Sequence, residues 1–310
     1  MTRISRVPVL MVALTLVLSA CASEPGASTT TTAEVTTSAP ASSTTLVPAT
    51  PTTQPATTTT TAPTAGGVVV YLLLDELEAE AGGPFLVPVY RGVSASGDTA
   101  QHAVQVLIDG PTADELAGIP ALATAIPDGT EVLGSSIDDG VATVNVSGEF
   151  DDGGGSFSMF ARLAQVVYTM TRLEGIDSVV FEVDGDPVTV FSSEGIELDG
   201  PQERPDYYDL LPPIFLDSPA WGAPVTSPVH VSGLSNVFEA VSQVMLTDDD
   251  GMTLIEDTVM ATCGTGCWGE WEIDVPYSVD REQFGAFIVW ENSAEDGSRI
   301  HIREYPVQLR

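Results

Sequence analysis

Residues 131–183 read EVLGSSIDDGVATVNVSGEFDDGGGSFSMFARLAQVVYTMTRLEGIDSVVFEV, and the change of period inside this stretch decides the fold. EVLGSSI (131–137) and VATVNVS (141–147) alternate apolar and small or polar residues around Asp138-Asp139-Gly140, the turn signal of a hairpin. After a Gly-rich loop the apolar residues Met159, Phe160, Leu163, Val166, Val167, Met170 and Leu173 recur at helical spacing, with Ser156 or Ser158 placed to cap. SVVFEVDG (178–185) returns to strand. A strand after a helix after a hairpin places a helix across a sheet.

The flanks extend this layer. VVVYLLL (68–74) and FLVPVYRGV (85–93) read as strands joined by an acidic connection. In DTAQHAVQVLIDG (98–110), Ala100, Ala103, Val104, Leu107 and Ile108 share one helical face, and Gly110-Pro111 stops the helix. A short VTVF (188–191) is expected to complete the sheet. Residues 67–192 therefore predict an α+β domain, two main helices on a mixed sheet. Residues 193–217, rich in Pro and acids, read as a connector whose Tyr207, Tyr208, Leu210 and Leu211 are too apolar to swing free.

From 218 to 310 short strands recur between turn signals: 225–233, 237–248, 252–263, 269–277, 286–293 and 300–309. Asp248-Asp249-Asp250-Gly251 and Glu295-Asp296-Gly297 are natural turns. This spacing predicts a small all-β sandwich.

The other end of the chain concerns address. Arg3 and Arg6 precede an apolar run of about 13 residues, shorter than the roughly 20 a spanning helix needs. The run ends in Leu18-Ser19-Ala20-Cys21, so residues 1–20 read as a secretory signal. LSAC resembles the bacterial lipobox, which implies that Cys21 becomes the acylated first residue, anchored to the cell membrane. Residues 21–66 follow, with 17 threonines between 22 and 66 and no aromatic residue. Such a segment buries too little apolar surface to offset its ordering entropy and is expected to be an extended, disordered stalk. At the polyproline rise it would reach on the order of 140 Å.

Forty-four acidic residues face ten basic ones, all arginine, giving a net charge of −34. This excludes nucleic acid and anionic headgroups as partners. The absence of lysine excludes Walker phosphate loops and Schiff-base chemistry. No motif demands a cofactor, and no nucleophile elbow, zincin helix or dinucleotide loop occurs, so no catalytic residue is assigned. His230 and His301 sit between β-branched neighbours, and alternation turns them from the core; His102 lies off the apolar face of its helix. Glu149, Asp151 and Asp152 beside Gly153–Gly155 form the candidate cation loop, without EF-hand spacing. Asn145-Val146-Ser147 matches a glycosylation sequon by coincidence. Trp268 and Trp271, three apart on one expected strand, should face opposite ways, which makes one of them a candidate binding aromatic.

Cys263 and Cys267 flank Gly-Thr-Gly. The pair lacks the further ligands of a zinc site and the CxxC spacing of a redox helix. In an exported chain, a Gly-rich hairpin turn makes it a local disulfide.

VYLLL…LVPVYRGV, LIDGP, AIPDGTEVLGSSIDDGVATVNVSGEF and LAQVVYTMTRLEGIDSVVFEVDG together resemble the GerMN domain of sporulation and spore-germination proteins, also found in actinobacterial envelope lipoproteins. SPVHVSGLSNVFEAVSQVMLTDDDG, GEWEIDVPYS and GAFIVWENSAEDGSRIHIREYPVQL are similar to the immunoglobulin-like domain that accompanies GerMN. The resemblance implies a non-enzymatic lipoprotein of the cell envelope, binding an envelope protein or cell-wall polymer, with links to sporulation, germination or signalling. A carbohydrate-binding module and an envelope hydrolase are its rivals.

Overall fold

The computed structural model describes residues 67–75, 83–92 and 99–310. The expected signal, Cys21 and the stalk lie outside the described residues. Among those residues no helix is long and apolar enough to cross a membrane.

The first domain contains two sheets. Strands β1 (Val68–Leu74) and β2 (Phe85–Arg91) pair antiparallel from Val68↔Arg91 to Leu74↔Phe85. Helices α1 (Thr99–Ile108) and α2 (Ala113–Gly118) follow, then the two-residue β3 (Leu122–Ala123), which pairs with the end of β1. α2 has a capping box between Thr112 and Glu115, and the Glu115 carboxylate also takes the Arg91 guanidinium at 2.7 Å. β4 (Val132–Asp138) and β5 (Val141–Val146) form the expected hairpin, whose turn residues Asp139 and Gly140 have φ of 47° and 81°. These are the positive values a two-residue hairpin turn requires. α3 (Ser156–Met170) crosses to β6 (Ser178–Val183), which lies parallel to β5, and β7 (Asp186–Pro187) closes the sheet β4-β5-β6-β7.

α3 is buried almost all round rather than along one stripe. It lies against β1 and β6, and the 3-10 turn Arg204–Leu210 covers it. Its buried polar residues have a reason. β3 is so short that the edge of Tyr71 in mid-β1 would be left bare, and α3 completes it. Thr169 Oγ1 accepts from Tyr71 N at 3.1 Å and Gln165 Nε2 donates to Tyr71 O at 2.9 Å. A buried backbone pair would otherwise lose its partners.

The VTVF segment does not complete the main sheet. β8 (Val190–Phe191) pairs only with β9 (Ile196–Glu197) in a separate ribbon. Phe191 leaves the sheet to bury its ring against Phe150, 5.4 Å between centroids, and that burial outweighs a longer ladder.

The second domain is a sandwich of β10 (Ile214–Ser218), β12 (Val229–Ser235) and β15 (Gly269–Val275) against five other strands. These are β11 (Pro224–Val225), β17 (Arg299–Leu309), β16 (Gln283–Asn292), β13 (Val241–Thr247) and β14 (Thr253–Met260), in that order across the sheet. Val231, Trp271 and Val275 pack inward from one sheet, and Val244, Leu246, Phe287, Val289 and Val307 from the other. β10 falls within the stretch read as connector; its apolar Ile214-Phe215-Leu216 is the first strand of the sandwich.

Candidate functional site

A cluster of charged side chains sits where the two domains meet. Asp217, in β10, is only 16% exposed at its side chain, and three groups converge on it. The Tyr71 hydroxyl of β1 donates to Oδ1 in a short hydrogen bond. Arg172, just past α3, and Arg204, from the connector turn, donate to Oδ2 at 2.9 and 3.0 Å. Arg204 Nη2 also donates to the Tyr71 hydroxyl at 3.1 Å and to Tyr168 O at 3.2 Å, and its Nε donates to Thr171 Oγ1 at 2.8 Å. Its guanidinium lies over the Tyr168 ring, 4.8 Å from the centroid, and Phe215 packs edge-on to the same ring.

The electrostatics follow from this geometry. Burial alone would push the Asp217 carboxyl up, but Arg204, Arg172 and the Tyr71 hydroxyl prevail and hold it down at about 2. Burial pushes the Tyr71 hydroxyl up to about 12, despite the pull of Arg204. Arg204 itself is raised, because Asp217 and Tyr71 stabilise its charge beyond what burial costs it. A carboxylate saturated by three donors cannot act as a base. The cluster is a structural clasp.

Other contacts extend the seam. Trp221 pairs with the free edge of β2: its N donates to Pro88 O at 2.9 Å and its O accepts from Tyr90 N at 2.8 Å. The Arg303 guanidinium stands over Phe85, 4.8 Å from the centroid. In the connector, Tyr207 packs on Phe160 of α3 and Tyr208 on Trp268 of the sandwich, at 4.7 and 5.5 Å. The connector therefore packs on both domains, where its apolar residues were expected to pack on one.

Comparison with known families places each half. Residues 69–189 match the Germane model, described as sporulation and spore germination, and residues 213–298 match Gmad2, the immunoglobulin-like domain of bacterial spore germination. The chain carries a GerMN domain followed by the spore-germination immunoglobulin-like domain. Both models describe modules associated with sporulation and spore germination, families not known as enzymes. The first GerMN domain of the sporulation protein GerM from Bacillus subtilis is similar over 45% of this chain and 98% of that one, at 21% identity and a TM-score of 0.39. The tandem GerMN domains of the same protein align over 69% of this chain and 62% of theirs, at 16% identity and a TM-score of 0.39. A putative lipoprotein from Clostridium perfringens aligns over 47% of this chain and 93% of its own, at 24% identity and a TM-score of 0.32. No match was found among curated proteins.

Within this frame the residues singled out in the sequence fall as follows. Cys263 and Cys267 form a disulfide with Cα atoms 5.9 Å apart. Their loop is tied to the segment before β13, with Thr265 N donating to Val237 O at 2.9 Å and Gly266 N to Asn236 Oδ1 at 2.8 Å. Trp268 and Trp271 do not share a strand, because β15 starts at Gly269. Trp271 is a core residue at 3% exposure, and Trp268 is half-buried against Tyr208.

Glu149 and Asp151 lie in the 3-10 turn Gly148–Asp151 and Asp152 follows it. Arg162 of α3 fills the loop, donating to Phe150 O in a short bond, to Asp152 O at 3.1 Å and to Gly153 O at 3.2 Å. The carbonyls a cation would need are occupied, and among the described residues no three acidic, His or Cys side chains converge to hold a metal.

The histidines are dispersed. His102 is half-buried on α1. His230 is exposed, with Nδ1 3.0 Å from Asp274. His301 departs from simple alternation: a bulge shifts the β16–β17 register between Val289 and Glu291, His301 takes φ 54°, and its Nδ1 lies 3.1 Å from the buried Glu291 carboxylate. Asn145 Oδ1 accepts from Gly185 N at 3.0 Å, a turn-fixing role.

Nothing in the sequence reading pointed to Asp217, Tyr71, Arg172 or Arg204. The available signal was an acid at the end of the apolar run IFLDS in a chain with few cations. A buried acid there needs two of them.

Proposed function

We propose that this protein is an exported lipoprotein, held to the cell membrane through Cys21, that carries its GerMN and immunoglobulin-like domains on the threonine-rich stalk as one rigid binding body for a protein partner of the envelope. The observation that carries this reading is the seam. A carboxylate clasped by two arginines and a tyrosine, with Trp221 laid along β2, fixes one domain on the other. A presenting module gains from that rigidity, since a partner can then be met by both domains without loss of orientational freedom. The signal and the lipobox-like LSAC supply the address. Of the two tryptophans that favoured a wall-glycan alternative, Trp271 is buried in the core and Trp268 packs on Tyr208.

Two experiments test the reading. Metabolic labelling with an alkyne fatty acid should tag the wild type and not Cys21→Ala, which should leave the membrane fraction. In-cell crosslinking with mass spectrometry should then recover defined envelope proteins. Crosslinks confined to wall fragments would contradict the choice of partner.

A further inference from the structure

Open sheet edges are templates for another strand, and proteins blunt them with charge, proline, brevity or cover. Among the described residues nearly every edge here is blunted. β2 is covered by Trp221, β10 lies in the seam, and β3, β8 and β9 have two residues each. β7 and β11 are equally short and contain Pro187 and Pro224. β14 carries Glu256 and Asp257, and β15 carries Glu270, Glu272 and Asp274. β4 is the exception. From Val132 to Ile137 it reads VLGSSI, without charge or proline in a chain of net charge −34.

Among the described residues the edge is unpaired as well as uncharged, with α1 packed against the strand. β4 pairs with β5 alone, in unbroken register from Gly134↔Asn145 to Asp138↔Val141 beyond a bulge at Leu133. Leu133 and Ile137 are 46% and 51% exposed, and a Cβ placed on Gly134 would meet nothing within 4 Å. Exposed carboxylates stand at both ends: Asp128 and Glu131 before the strand, Asp138 as its last residue and Asp139 after it. An antiparallel second copy centred on Ser135 would set Glu131 against Asp139 and be repelled.

We propose that β4 is a docking edge that takes an extended peptide segment of a partner protein by strand addition, uncharged in its middle and with Lys or Arg at both ends. Main-chain bonds to Gly134–Ile137 supply the attachment, and the two acidic ends select the charge pattern. This deepens the binding role proposed above and rests on it.

The test uses the full-length protein and a fluorescent synthetic peptide of alternating Thr and Val flanked at each end by Lys. The peptide should bind, with hydrogen-exchange protection confined to Gly134–Ile137. A Glu-flanked peptide, and a Lys-flanked one with proline in the middle, should each bind about tenfold more weakly or worse. Leu133→Lys and Ile137→Lys, both at exposed positions, should weaken binding about tenfold while leaving the melting temperature unchanged. Equal binding of the proline probe would reduce the effect to bulk charge and overturn the proposal. So would unaltered binding by the lysine variants, or a dimer that Ile137→Lys abolishes. Failure here leaves the crosslinked partners in place, whereas absence of any crosslinked protein contradicts the broader reading.

Discussion

Arg204 of the connector and Asp217 of the first sandwich strand form an ion pair at 3.0 Å across the boundary between the GerMN and immunoglobulin-like domains. Arg204 is held from the GerMN side by Thr171 and Tyr168, so the pair joins two cores rather than two surfaces.

Replacing the Asp217 carboxylate by an amide leaves two arginines without their counter-charge and removes one of the two oxygens that accept the arginine and tyrosine bonds. Asp217→Asn should lower stability by about 3 kcal/mol, the usual cost of breaking one partner out of a shielded pair. Calorimetry should show the single transition of the wild type separate into two, one for each domain.

The pH dependence has a definite sign. A carboxyl held at about 2 in the folded protein, against its ordinary 3.8, contributes stability that is present in full above about pH 4. That contribution, about 2 kcal/mol, disappears as the pH falls toward 2. Urea midpoints of wild type and Asp217→Asn, compared from pH 7 downward, should converge at the acid end.

Arg162 holds the loop read from sequence as a cation site. Millimolar calcium should leave the wild-type melting temperature unchanged. Arg162→Met removes the donor to three loop carbonyls and should destabilise by about 2 kcal/mol, with hydrogen exchange rising at residues 148–155.

Double replacement of Cys263 and Cys267 by serine should cost about 2 kcal/mol, as expected for so short a loop. Exchange should quicken at Thr265 and Gly266, whose amides donate to Val237 and Asn236, while the sandwich core stays protected. Alkylation of the untreated protein should label neither cysteine.

The periodic parts of the fold were readable because burial on one face imposes a period. The β4–β5 hairpin and α3 came from alternation, from Asp-Asp-Gly and from helical spacing. What escaped depends on contacts distant in sequence. β10 is short and sits beside prolines, and only its pairing with β12 makes it a strand. Trp268 looked free because its partner, Tyr208, comes from another element. The acidic loop looked ready for a cation because Arg162 reaches it from the next helix. The clasp joins residues as far apart as Tyr71 and Asp217, a separation no local pattern records.

The clasp between Arg204 and Asp217 makes the two domains move as one body. Residual dipolar couplings measured for both domains of the soluble body, weakly aligned in one medium, test it most directly. A single alignment tensor should fit the GerMN and immunoglobulin-like couplings together, and Asp217→Asn should split it. Two different tensors in the wild type would contradict the account.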